Sequence, residues 1–135
     1  MILPALLLAA SISPADSPRH LIDELFRAFN RHDVAALQAL YTPDARLTSS
    51  DFCKPRTGAD VTRTYGAIFG AFPGIRDDVI SIVIDGDMAA VRFVTSSSGS
   101  GGDFRFKLVT FFRFSRGRIV EDDTVFDTRG QPCQL

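Results

Sequence analysis

FRFKLVTFFRF, Phe104 to Phe114, alternates its side chains with a period of two. Successive side chains of an extended strand point to opposite faces, so Phe104, Phe106, Leu108, Thr110, Phe112 and Phe114 share one side and Arg105, Lys107, Val109, Phe111 and Arg113 the other. The first side is aromatic enough to meet a core, whereas the second mixes cations with apolar groups. The same period runs through Ile75 to Asp85, Met88 to Ser96 and Arg118 to Asp127, which read as three further strands. Asp85-Gly86-Asp87, SSSGSGGD and Ser115-Arg116-Gly117 join them, and connections this short suit antiparallel hairpins.

Upstream the period is helical. Leu21, Leu25, Ala28 and Phe29 form one stripe of LIDELFRAFNRHD, with Asp16 or Ser17 placed to cap it. Asp33 is placed to cap a second helix carrying Val34, Leu37 and Leu40, which Pro43 is expected to stop. Asp44 to Phe52 reads as a strand running into a loop. Asp60 opens a third helix with Val61, Tyr65, Ile68, Phe69 and Phe72, ended by Pro73-Gly74. Helices followed by a strand meander predict an α+β domain, one sheet with helices on one face. A sheet covered on that face alone leaves Val109, Phe111 and a neighbouring Phe93 in water, so a homodimer through the open sheet face is expected.

The chain has 135 residues, 45% apolar and 23% charged, which fits one globular domain. A net charge of -1 with scattered basic residues excludes nucleic acid as a partner. Ile2 to Ala10 is apolar but too short to span a bilayer. Residues 1–17 therefore read as an export leader, cleaved after Ala15 or Ala10, although no Lys or Arg precedes Arg19. The other reading is an apolar arm packed on a domain of residues 18–135. Export places the protein in the periplasm or outside the cell; without it the location is cytoplasmic. Cys53 and Cys133 stand in no metal-ligand spacing, and an exported chain would allow them to form a disulfide, the alternative being two free thiols.

LIDELFRAFNRHDVAALQALYTPDARL, FGAFPGIRDDVISIVIDGDMAAVRF and FRFSRGRIVEDDTVFD, in that order, resemble the SnoaL-like group of the NTF2-like superfamily over about Leu21 to Leu135. The resemblance implies a cone: a strongly curved, mainly antiparallel sheet wrapped around three N-terminal helices, with a pocket at the wide end. That group includes polyketide cyclases, ketosteroid isomerases and limonene-type epoxide hydrolases, so the fold leaves the activity open. Carried over residue by residue, the isomerase base falls on Ser49, its oxyanion tyrosine near Leu25 and its protonated acid on Thr110, none of which can do that chemistry. Asp51 stands two residues from the base position. For the epoxide hydrolases, Arg92 resembles their arginine, but Val94 and Val125 occupy the two acid positions. The cyclase acid at the end of the last strand resembles Asp127, and Asp123 stands where relatives commonly carry an aromatic.

In Arg118 to Asp127, strict alternation puts Glu121, Asp123, Val125 and Asp127 on one side and Val120, Asp122, Thr124 and Phe126 on the other. The first side is expected to face the cavity. Asp127, helped by Asp123, would then move a proton, and Arg92 would orient a carbonyl or stabilise negative charge. Thr110, Asp51 and Tyr65 complete the expected ligand contacts, for a small apolar or carbonyl-containing molecule. His20 and His32 lack metal spacing, and no cysteine-histidine cluster exists, so neither metal nor cofactor is expected. The serines lack a GxSxG elbow, and SSSGSGG precedes a strand and therefore makes no phosphate cradle. The alternative is a non-catalytic exported protein whose cone holds a ligand or whose sheet serves assembly.

Overall fold

A computed structural model describes residues 13–135; most of the expected leader, residues 1–12, lies outside the described residues. The first helix, α1 (Pro18–Asn30), starts where the Ser17 side chain accepts the His20 N–H and Pro18 fills a position that needs no donor. It buries Leu21, Ile22, Leu25, Phe26, Ala28 and Phe29. Asp33 accepts the Ala36 N–H at 3.0 Å and opens α2 (Val34–Leu40), whose Leu37 is fully buried. The chain then passes directly into β1 (Tyr41–Ser49). Pro43 thus lies inside a strand instead of stopping the helix. It falls between Tyr41 and Arg46, where the ladder is irregular and no proline N–H is missed.

A short strand not anticipated from the sequence, β2 (Arg56–Thr57), pairs antiparallel with β1. The turn that follows, Gly58–Asp60, presses against β1 so closely that a Cβ on Gly58 would lie 1.7 Å from the Thr42 carbonyl oxygen. Thr57 donates its N–H and its hydroxyl to the Asp60 carboxylate, and α3 (Val61–Ala71) begins there. The meander comprises β3 (Arg76–Asp85), β4 (Met88–Ser97), β5 (Phe104–Ser115) and β6 (Arg118–Val125). The last strand stops two residues short of Asp127. No helix among the described residues is long and apolar enough to cross a membrane.

The six strands form one curved sheet in the order β2-β1-β6-β5-β4-β3, antiparallel except where β1 lies parallel to β6. Its inner face meets the helices. Phe26 packs edge-to-face on Phe93 at 5.0 Å, and Phe112, Phe114, Leu108 and Val91 join the same core. Phe93 pairs in register with Leu108, and both are buried. The expectation that Phe93 sits beside Phe111 on the open face is therefore corrected: alternation along β4 turns Val91 and Phe93 inward. The outer face still exposes Phe111, Val125, Val83 and Met88.

One irregularity decides which acids face the core. In the β5–β6 ladder Arg113 pairs with Glu121, but the next residue, Phe114, pairs with Ile119, so Val120 is an extra residue with no partner of its own. A bulge of this kind advances the strand by one and inverts the facing of everything beyond it. Ile119 and Asp122 consequently both point inward and are buried.

Candidate pocket

Between the helices and the inner face of the sheet lies a cavity of about 1180 Å3. Phe29, Phe93, Phe104, Phe106, Phe112 and Phe126 give it aromatic walls. Polar groups are gathered at a few points.

The first of these is Asp122, 6% exposed, on β6. Tyr41, at the start of β1, donates its hydroxyl to Asp122 Oδ2 at 2.6 Å, and Thr124 reaches Oδ1 at 3.3 Å. The Thr110 and Thr124 hydroxyls lie 2.7 Å apart across the β5–β6 register, and the Tyr65 hydroxyl from α3 lies 3.3 Å from that of Tyr41. Asp122 and Tyr65 line the cavity, while Tyr41 is fully buried behind them. Burial pushes the Asp122 carboxyl up to about 6; the Tyr41 and Thr124 hydrogen bonds oppose that rise, and the charge of Asp123 adds to it. Both tyrosines are driven upward, chiefly by burial and then by the Asp122 charge, so both keep their protons. A carboxylate that titrates near neutrality beside a protonated phenol is a base next to a hydrogen-bond donor.

Asp77 on β3 is the second buried acid of the cavity. Burial pushes it up to about 7, with the Thr95 hydroxyl opposing the rise and the Asp78 charge adding to it. At the mouth, Arg56 lies over the Phe52 ring at 3.8 Å and donates to Thr64, and Arg129 lies 5.2 Å from the centre of Phe106. The C-terminal tail closes one side of this mouth. Cys53 and Cys133 are joined by a disulfide, Gln134 exchanges backbone hydrogen bonds with Asp51 and Cys53, and Leu135 reaches the cavity.

The sequence-predicted residues separate accordingly. Thr110 and Tyr65 stand in the cavity beside Asp122, and Asp51 stands at its edge, where it accepts the Ser49 hydroxyl. Asp123 does not face inward: it is exposed on the outer face, where Thr48 donates to it at 2.7 Å. Arg92 is exposed on that same face, in register with Val109, because Val91 and Phe93 on either side of it fill the core. Asp127 lies past the end of β6 at the cavity rim, and its carboxylate accepts the Arg129 N–H at 2.8 Å. The expected Arg92–Asp123–Asp127 cluster is thus not assembled. Asp122 and Asp77 were missed as site residues: alternation groups Asp122 with Thr124 and Phe126, as the structure does, but the opposite side, with Asp123, was expected to face the cavity, and only the pairing of β6 with β5 decides which side is inward.

Comparison with known proteins matches residues 22–122 to the SnoaL-like domain. Among solved structures, IdmH of Streptomyces antibioticus, described as a candidate polyketide cyclase, is 26% identical with a TM-score of 0.75 over 84% of this chain and 94% of its own. A loop-truncation variant of IdmH is 29% identical, with a TM-score of 0.74 and the same coverage. AclR of Streptomyces galilaeus, described as a candidate hydroxylase, is 26% identical with a TM-score of 0.71 over 82% of this chain and 89% of its own. No curated protein matches the chain.

Proposed function

The chain belongs to the SnoaL-like family, and from that premise we propose that it is an acid–base enzyme of the cyclase or isomerase kind. Its substrate is an apolar compound carrying a carbonyl group. The observation that carries this reading is the buried Asp122 carboxyl, titrating near 6 in an aromatic cavity beside the Tyr65 hydroxyl. The ionised carboxyl removes a proton from the carbon next to the carbonyl, and the resulting enolate oxygen accepts a hydrogen bond from Tyr65. Protonated Asp122 then returns the proton. Delivery to another carbon isomerises the substrate; delivery to the alkoxide formed when the enolate carbon attacks a second carbonyl closes a ring. Proton transfer of this kind needs no electron carrier. Tyr41 acts as a positioning residue, and the similarity to IdmH at 26% identity supports the cyclase variant.

The test is exchange of α-protons in deuterated water, followed by proton NMR on a panel of aryl ketones and 1,3-dicarbonyl compounds. Wild-type protein should accelerate exchange for at least one class, and Asp122→Asn should reduce that acceleration by about 100-fold or more. Acceleration that survives Asp122→Asn would defeat the assignment. Ligand retained through purification without any exchange would favour the non-catalytic reading, for which the apolar cavity is itself the supporting feature. We further place the protein in an exported compartment, supported by the Cys53–Cys133 bond, since disulfides persist where thiols are not kept reduced. A homodimer through the outer sheet face belongs to the same reading.

A further inference from the structure

Asp77 is the buried cavity acid to which the fold supplies the Thr95 hydroxyl and nothing further. It is 8% exposed, its side chain lines the cavity, and its Oδ1 has no hydrogen bond. The position is nevertheless built with care. Asn30, the last residue of α1, accepts the Asp77 N–H and donates to the Asp77 carbonyl, each at 2.8 Å, and so holds this point of β3 against the helix. The cavity that it lines also includes Phe26, Phe29, Ile75 and Phe93, and Thr95 lies across the ladder from it. Arg76, the nearest cation in sequence, pairs instead with Asp78, both of them exposed. No salt bridge among the described residues involves Asp77.

A carboxyl withdrawn from water among phenylalanines, with a free oxygen, weakens the folded state. Such a group is expected where a ligand completes it. Asp77 is also well separated from Asp122, because β3 lies three strands from β6, roughly 14 Å along the sheet at ~4.8 Å per strand. The cavity therefore has two polar poles joined by aromatic walls.

We propose that Asp77 is a second polar subsite, taking an O–H or N–H donor carried by the ligand at the end remote from Asp122. The ligand is then an elongated, mainly aromatic or apolar molecule, with its carbonyl at the Asp122 pole and a hydroxyl or amino group at the other. This rests on the assignment of the carbonyl end to Asp122.

Two isosteric probes separate the two assignments: 4-acetyl-4′-(hydroxymethyl)biphenyl, which carries a carbonyl and a hydroxyl at opposite ends, and 4-acetyl-4′-ethylbiphenyl, which lacks the hydroxyl. Calorimetric titration of the full chain should show wild type binding the hydroxymethyl probe about tenfold more tightly, the size of one charge-assisted hydrogen bond. Asp77→Leu should abolish that preference, and Asp77→Asn, which keeps an acceptor, should retain part of it. Both variants should also melt at a higher temperature than wild type, as expected where a group is kept for binding at the expense of stability. Equal affinity of wild type for the two probes, a preference that survives Asp77→Leu, or a lower melting temperature for both variants overturns the subsite alone. Failure of both probes to bind wild type overturns the carbonyl-pocket reading and the subsite with it.

Discussion

A carboxyl moved from water into an aromatic cavity holds its proton more tightly, and the two buried acids make that visible in stability. Both titrate near 3.8 in the unfolded chain, whereas in the folded protein Asp122 lies at about 6 and Asp77 at about 7. Between those values the folded state keeps protons that the unfolded state has released. Their contribution is therefore fullest below about pH 4 and is lost as pH rises through 6 to 7. At ~1.4 kcal/mol per decade of proton affinity, Asp122 alone accounts for about 3 kcal/mol over that interval. Urea unfolding at pH 4.5 and pH 8 should show the difference, and Asp122→Asn or Asp77→Asn should flatten it. Tyr41→Phe acts in the opposite sense on Asp122, because the hydroxyl favours the ionised form. The variant should raise the Asp122 pKa further and lose about 1.5 to 3 kcal/mol at pH 8, with less at pH 4.5. A destabilisation equal at both pH values would show that the hydroxyl is not bonded to the charged carboxylate.

At the scale of elements, ordinary local rules predict the helices well. Ser17 and Asp33 cap α1 and α2 as their residue types suggest, and the buried stripe of α1 contains Leu21, Leu25, Ala28 and Phe29. β6 departs from its local pattern because the unpaired Val120 is set by the β5 partner, through Phe114 meeting Ile119. Deleting Val120 would bring Glu121 next to Ile119, opposite the adjacent Arg113 and Phe114, so the bulge should vanish with Asp122 still inward and Asp122-dependent proton exchange should persist; loss of exchange in a folded variant would show that the bulge itself shapes the site. The tail is a second case. The Cys53–Cys133 bond closes a span of 80 residues and holds Gln134 and Leu135 at the cavity mouth. Cys133→Ser should cost ~2 to 4 kcal/mol of stability and speed the exchange of bound aryl ketone, measured by stopped-flow fluorescence. Unchanged exchange would separate the tail from access to the cavity. Gly58→Ala should be destabilising, opposite in sign to the ~1 kcal/mol that alanine ordinarily gains over glycine in a helix, since its Cβ would collide with backbone rather than with a movable side chain.

Across the whole molecule, the face turned away from the helices carries both apolar and charged groups. Phe111 is 47% and Val83 66% exposed, and Arg92 on β4, Arg105 and Lys107 on β5 and Asp123 on β6 are exposed as well. A second copy related by a two-fold axis would set the basic strands against the acidic one and cover the apolar groups. Phe111→Arg should then shift the protein from dimer to monomer in analytical ultracentrifugation; a monomeric wild type at micromolar concentration would refute the arrangement. The α+β class, the three helices, the antiparallel meander and the inward aromatic side of β5 were determined by the sequence itself, because each follows from the period and capping of contiguous residues. Which acids enter the cavity was decided only by the tertiary structure. Facing depends on register, register on a bulge forced by a neighbouring strand, and the perturbed protonation of Asp122 and Asp77 on surroundings drawn from elements far apart in the chain.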